Sequence, residues 1–290
     1  MNTPRPRGYQ SKHIPSQVLL VILCVYFLIP LWWLVVASTK SNPDLFVSSS
    51  GPLWFSQHFS FFSNVQGLSS YQNGIYWRWL GNSLLYALVG GVGATAISVL
   101  AGYGFAKFNF RGRGFVFSLV LGSVMVPATA LVLPLFMMFS KLSLLNTIWA
   151  VILPSLLSPV GTYLVRVYCQ EALPDELTDA ARVDGASELR TFWSVSMPQL
   201  RPAIITVLLL SVVATWNNFF LPQIMLSSQK LWPITVGLSY WLTHSSVGST
   251  SEQVWNLVVC GAFISIVPLI VAFLFLQRYW QSGLTLGSLK

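Results

Sequence analysis

Charge is scarce in this 290-residue chain. Only 8% of its residues are Asp, Glu, Lys or Arg, where a soluble domain carries about a quarter, and 54% are hydrophobic. That balance excludes an ordinary soluble domain and reads as a membrane protein. Cysteine is sparse too: Cys24, Cys169 and Cys260 show no C-x-x-C spacing, and two of them lie midway along apolar runs. They read as small buried hydrophobes, not as a metal site or a disulfide framework. His13, His58 and His244 are isolated, so nothing points to a metal. The chain has no G-x-x-x-x-G-K-[ST] run and no paired carboxylates in a plausible site, so it is expected not to be an enzyme and not to hydrolyse ATP itself. Acid is scarcer still, at eight residues, and the apolar runs contain almost none. Carriers driven by protons usually bury functional carboxylates, so a proton relay is disfavoured as the main drive.

What is present is apolar length. A helix needs about 20 mostly apolar residues to cross the hydrocarbon core, and six segments qualify: 18–37, 83–106, 115–139, 148–167, 204–221 and 257–276. The first follows Arg5, Arg7 and Lys12 as a signal peptide would, but it is too long for an h-region and no A-x-A-like site follows, so it is taken as an uncleaved span. Twelve Trp, ten Tyr and nineteen Phe suit the boundary between hydrocarbon and headgroups.

Orientation follows from the basic residues. With the N-terminus in the cytoplasm, Arg5, Arg7, Lys12, Lys107, Arg111, Arg113, Arg166, Arg182, Arg190, Arg201, Arg278 and Lys290 fall inside. Only Lys40, Arg78, Lys141 and Lys230 fall outside. This positive-inside bias places both termini in the cytoplasm, and it explains the net charge of +8 without nucleic acid. The expected organisation is a cytoplasmic segment 1–17, a six-span domain 18–280 with a cytoplasmic loop 170–202, and a cytoplasmic tail 281–290.

Two longer connections lie outside, at about 38–80 and 222–255. The first carries Trp54, Phe61, Phe62, Tyr71, Tyr76 and Trp77, as a structured segment on the outer interface would. In the second, LWPITVGLSYW is too short to span and is interfacial or re-entrant. Pro30, Pro127, Pro134, Pro154 and Pro159 each remove a helix donor, so they shape packing or mark gates. ALVGGVGAT at 87–95 sets Gly90 with Ala94 and Gly91 with Thr95, small residues at four-residue spacing that admit a neighbouring helix closely.

The acid is concentrated in one place. LPDELTDAARVDGASELRTFWSVSMP, at 173–198, holds Asp175, Glu176, Asp179, Asp184 and Glu188, and Glu171 precedes it by two residues. Pro174 suits a first helical position, and Asp175 and Glu176 complement the positive end of the helix dipole. Leu177, Ala180 and Ala181 make a short apolar stripe. Gly185 is placed to stop that helix in the left-handed conformation. A second helix starts near Ala186 or Ser187, with Leu189, Phe192, Trp193 and Met197 on one side, and runs until Pro198. Such an amphipathic pair must bury its stripe on its own membrane ends or in a partner's groove.

The same residues carry a family resemblance. E-A-A, three residues, Gly, nine residues, Ile-x-Leu-Pro is the cytoplasmic-loop signature of permeases of binding-protein-dependent ABC importers. Asp179, Ala180, Ala181, Gly185, Val195, Met197 and Pro198 stand at that spacing, with Asp for Glu, Val for Ile and Met for Leu. AARVDGASELRTFW, STKSNPDLF, GNSLLYAL, AGYGFAKFNFRGRG, LPLFMMFSKLSLLNT, ATWNNFFLPQ and QRYWQSGLTLGSLK are similar to the carbohydrate-type permeases over most of the chain. The resemblance implies an all-α membrane protein of the type I ABC importer transmembrane fold, in a bacterial or archaeal cytoplasmic (inner) membrane. Its implied partners are a second homologous permease, an ATPase dimer, an extracytoplasmic substrate-binding protein and the lipid bilayer. No cofactor is implied in this chain, ATP and Mg being bound by the partner ATPase. The implied cargo is a sugar or related polyol compound.

On that resemblance the loop helix at 175–197 would enter a groove on the ATPase. Leu177, Ala180, Ala181 and Leu189 would supply the docking face, Asp179 and its acidic neighbours would pair with basic groups, Asp184 would stand at the turn, and Gly185 would set the angle. For the pathway, Trp216, Asn217, Asn218 and Gln223 form the densest group of neutral polar and aromatic side chains in the spans, and Ser123 and Met125 in the third span are secondary candidates. Ring faces and amides suit a sugar, although interhelical hydrogen bonding uses the same groups. Two contrasting readings are a secondary carrier driven by an ion gradient and a membrane scaffold whose acidic loop docks a signalling partner.

Overall fold

A computed structural model describes residues 14–47, 51–247 and 253–284. Among the described residues the regular structure is helical, with no strand. In chain order the α-helices are α1 (Ile14–Ser38), α2 (Asn42–Phe46), α3 (Phe61–Ser70), α4 (Ile75–Lys107), α5 (Arg113–Ser123), α6 (Ala128–Lys141), α7 (Trp149–Ser155) and α8 (Pro159–Ala172). They continue as α9 (Asp175–Val183), α10 (Glu188–Thr191), α11 (Met197–Gln199), α12 (Arg201–Trp216), α13 (Phe220–Met225), α14 (Ile234–Val247) and α15 (Trp255–Leu284). A π-helical turn, Phe192–Ser196, joins α10 to α11. The first 13 residues of the expected N-terminal segment, and the tail beyond residue 284, lie outside the described residues.

Four helical stretches are long and apolar enough to cross a bilayer: Ser16–Ser38, Phe61–Lys107, Trp149–Ala172 and Trp255–Gln277. The remaining two occur as bent pairs, α5 with α6 at 102° and Glu188–Gln199 with α12 at 78°. The expected third span, 115–139, is therefore not one straight helix. Pro127 stands at the break with φ −57 and ψ 126; it lacks an N–H and drives the residue before it out of helical conformation. The expected fifth span, 204–221, is interrupted as well. α12 stops at Trp216, where the Asn217 side chain donates back to the Val213 carbonyl at 3.0 Å, a local bond that competes with helix continuation. Helix resumes at Phe220. Nor does Pro198 stop the loop's second helix, because it sits in the first turn of α11, where its missing N–H costs nothing.

The chain divides into two compact units, the first formed by residues up to Tyr71 with Trp241–Ile264, the second by Gln72–Tyr240 with residues from Ser265 on. In the first unit, α1 is apolar and uncovered along most of its length, as a helix facing lipid would be. Cys24 lies on it and is exposed, against the expectation of a buried thiol; Cys169 and Cys260 are buried. The 38–80 connection is structured around buried Asn64, which donates to the carbonyls of Ser38 and Lys40 at 2.9 Å each and accepts from Asn256 at 2.7 Å. Phe61 packs edge-on to Phe62 and Phe263.

In the second unit, α4 is the central post, with α8 and α12 packed along it. The small residues of α4 permit this. A side chain at Gly91 would meet Val212 at 2.5 Å from Cγ2 and 3.1 Å from the backbone nitrogen, so the two helix backbones touch there. One apolar cluster joins Tyr86, Val132, Phe139, Ile152 and Met225; a second joins Val99, Tyr103, Val165, Leu173, Phe192, Leu200 and Val207. The start of LWPITVGLSYW, at 231–234, folds onto α4. Tyr86 donates to the Leu231 carbonyl at 2.8 Å, Asn82 to that of Trp232 at 2.9 Å, and the Ile234 N–H to Ser83 Oγ at 2.8 Å.

Candidate functional site

The acidic stretch forms a corner of two short helices, as its sequence predicts. Pro174 precedes α9 with φ −57 and ψ 146, and Asp175 and Glu176 occupy the first turn. At the other end, Gly185 takes φ +81. The Ala186 N–H donates to the Ala181 carbonyl at 2.9 Å and the Gly185 N–H to that of Arg182 at 3.0 Å, the paired bonds of a Schellman stop. Ser187 then caps α10, its hydroxyl accepting from the Arg190 N–H at 3.4 Å. Asp184 is the last residue before the glycine, its N–H bonded to the Ala180 carbonyl at 3.0 Å.

The corner has an inner and an outer face. Thr178, Thr191, Phe192 and Ser196 are buried on the inside. On the outside Leu177 is exposed, Leu189 is 74% exposed and Trp193 61%; Ala180 and Asp179 are also exposed and Ala181 is half-buried. Leu177 and Ala180 of the first expected stripe thus face away from the chain's own helices, whereas the second expected stripe is split: Leu189 and Trp193 face outward, but Phe192 is buried in an apolar cluster with Met197 packed against it. The outward face is bordered by acid, but not by free acid alone. Arg182 donates to Asp179 Oδ1 at 2.8 Å and to Glu188 Oε1 at 2.8 Å, bridging α9 to α10 across the glycine turn. The hydrogen bonds with Glu188, then Asp179, push the guanidinium pKa up, and the bond from Arg182 holds the Glu188 carboxyl below its usual range. At the start of α9, the Lys107 ammonium lies 2.6 Å from Asp175 Oδ1, and that hydrogen bond and charge lower the Asp175 pKa.

The pathway candidates fall at the two helix breaks. Ser123 and Met125 sit where α5 gives way to α6. Ser123 is exposed and donates to the Val120 carbonyl at 2.7 Å, while Met125 is 87% exposed. At the break between α12 and α13, Asn217 and Gln223 are exposed, Asn218 is half-buried with its carbonyl accepting from Thr235 at 2.9 Å, and Trp216 is only 5% exposed. The Trp216 ring is packed inside the unit, so within this subunit it presents no open face. α13 packs on α6 and α7. Among the described residues, no group of three or more metal-ligating side chains occurs.

Comparison with known proteins bears on what such a chain is. The family model of the binding-protein-dependent transport system inner membrane component matches residues 94–284. The chain belongs to this family. It is 38% identical over 217 residues to the arabinooligosaccharides transport system permease protein AraQ of Halalkalibacterium halodurans, covering 75% of each chain. It is 34% identical to the protein of that name in Bacillus subtilis over 287 residues, 97% of each. It is 32% identical to the lactose transport system permease protein LacG of Rhizobium radiobacter over 263 residues, 90% of each. A solved structure of a bacterial ABC transporter involved in the import of the acidic polysaccharide alginate superposes with a TM-score of 0.81 at 22% identity, covering 95% of this chain and 100% of that one, and so shares the fold. As an inner membrane component of an ABC importer, the permease is a transport subunit.

Two residues of this permease escape a reading of the sequence. Arg182 carries a local signal, since its spacing from Asp179 fits an i,i+3 pair on a helix, but nothing marks it as bridging to the next helix. Lys107 carries none, because its partner is 68 residues away.

Proposed function

We propose that this chain is one permease subunit of an ATP-driven importer of sugars or related polyol compounds. It forms half of the translocation pathway with a second permease, and a cytoplasmic ATPase dimer, which binds ATP and Mg, drives it through the loop helix at 175–197. A substrate-binding protein outside the membrane delivers the cargo. The observation that carries the coupling role is the outward face of the α9–α10 corner, where Leu177, Leu189 and Trp193 stand exposed beside acidic side chains. Apolar residues held outward on a charged helix are what a groove in a partner recognises. The positive-inside bias supports a cytoplasmic position for that corner. The cargo class is supported by the relatives, whose names specify arabinooligosaccharides and lactose. Exposed amides at the α12–α13 break support a polar lining there, since broken helices in transporters tend to border the route.

The direct test is Asp179→Lys. It puts a like charge beside Arg182 and reverses the sign on the docking side, while the spans are untouched. The expected outcome is a chain present at normal level in the membrane that no longer copurifies with the ATPase or supports uptake. Normal copurification and normal uptake by the variant would remove the coupling assignment.

A further inference from the structure

Lys107 is the last residue of α4, and its side chain is only 6% exposed. A sequestered ammonium needs acceptors for its three donors and an opposite charge. Both come from the junction that leads into the acidic corner. The ammonium donates to the carbonyl of Leu173, the fully buried residue that follows α8, and to the Asp175 carboxylate in the first turn of α9. A helix C-terminus and a carboxylate both attract a cation, so one side chain of α4 ties the end of α8 to the start of α9. One turn earlier on the same face of α4, Tyr103 reaches the other arm of the loop. Its ring meets that of Phe192 edge-on at 4.9 Å, and its hydroxyl is 3.4 Å from the Ser196 hydroxyl. Two successive turns of α4 thus hold both arms of the corner, one through charge and the other through a buried aromatic pair.

We propose that Lys107 is a positioning residue for energy coupling: it locks the first loop helix to the end of α4, so that a displacement of the docked corner is delivered to the central post and not absorbed in the 173–175 junction. The proposal rests on the importer reading above and adds a residue outside the loop to the coupling apparatus. Asp175, which is 81% exposed, serves here as the outer half of the lock, in addition to favouring the helix start.

The test uses the complete complex in lipid and compares ATP hydrolysis with cargo import. Lys107→Met keeps the aliphatic stem and removes the charge. With normal subunit content, stimulation of ATP hydrolysis by loaded binding protein is expected to fall by about tenfold, the scale of losing a charged hydrogen bond, and ATP consumed per cargo molecule to rise. Lys107→Arg, which retains the charge, is expected to recover most of the loss. Asp175→Asn should give a smaller loss of the same kind. The double variant Lys107→Met with Asp175→Asn should be no worse than Lys107→Met alone, since both act through one contact. Where Lys107→Met does not assemble, the comparison of Lys107→Arg with Asp175→Asn decides, since Asp175 lies on the surface: coupling unchanged in Asp175→Asn overturns the lock. Additive losses, or wild-type coupling in Lys107→Met, overturn it too. A wild-type complex unresponsive to any loaded binding protein would instead overturn the importer reading on which the lock rests.

Discussion

Gly185 shows how much one backbone angle decides. Its φ of +81 is the left-handed region, where a side chain costs about 1 kcal/mol or more unless it is Asn or Asp, which bond locally. Nothing lies within 4 Å of where its Cβ would be, so the restriction in the free chain is conformational and not steric. Gly185→Asn should therefore keep the corner and near-normal ATPase retention through purification, whereas Gly185→Val should lose most of it. Equal retention in the two variants would show that the angle at 185 is not what fixes the loop. Arg182 works at the same scale by different means. Its bonds to Asp179 and Glu188 are exposed, and exposed pairs contribute little to stability, so their effect is to restrain the angle across the glycine. The acid that gathers in this loop is thus divided: Asp175, Asp179 and Glu188 are ion-paired within the chain, and among the described residues Glu176 and Asp184 form no such ion pair, which leaves them for a neighbour's basic groups in the proposed docking.

At the level of elements, α4 explains how α8 and α12 sit within the second unit. A Cβ at Gly91 would press on the backbone of Val212 as well as on its side chain, and backbone cannot swing aside as a rotamer does. Gly91→Val should therefore lower the stability of the complex by about 1–3 kcal/mol, the usual range for overpacking, seen as a lower melting temperature in detergent. Gly104→Ala, on the same helix with nothing within 4 Å, should be neutral or slightly stabilising; equal shifts for the two would contradict close contact at Gly91. The small-residue spacing in ALVGGVGAT made this contact legible in the sequence, because its signal is local. The loop corner was legible for the same reason: proline, glycine and serine each act within one turn. The bend of 102° between α5 and α6 was not. Hydropathy runs unbroken across 115–139, and Pro127 signals a lost donor but not the direction the chain takes afterwards. The Lys107 and Arg182 bridges were hidden because a charge advertises itself in sequence but its distant partner does not.

On the scale of the whole molecule, the chain is built to be incomplete. Among the described residues, the apolar face of α1 and the outward residues of the α9–α10 corner are uncovered, and the sequence carries no G-x-x-x-x-G-K-[ST] run. Both conditions are met in an importer whose membrane, second permease and ATPase supply the missing surfaces, and the family to which the chain belongs is one of inner membrane components. Six candidate spans, four of them helical stretches and two of them pairs bent at a break, were readable from apolar length, and the family from the loop motif. The residues that meet cargo were not, because exposed amides at a helix break look alike in sequence whether they bond a neighbouring helix or line a route. The most direct test of the account is the ATPase activity of the purified complex in lipid, with and without its binding protein loaded from a panel of sugars and polyols. The account predicts stimulation by the loaded binding protein for one cargo class. A chain that purifies without any ATPase, and supports uptake on a sodium or proton gradient alone, would contradict it.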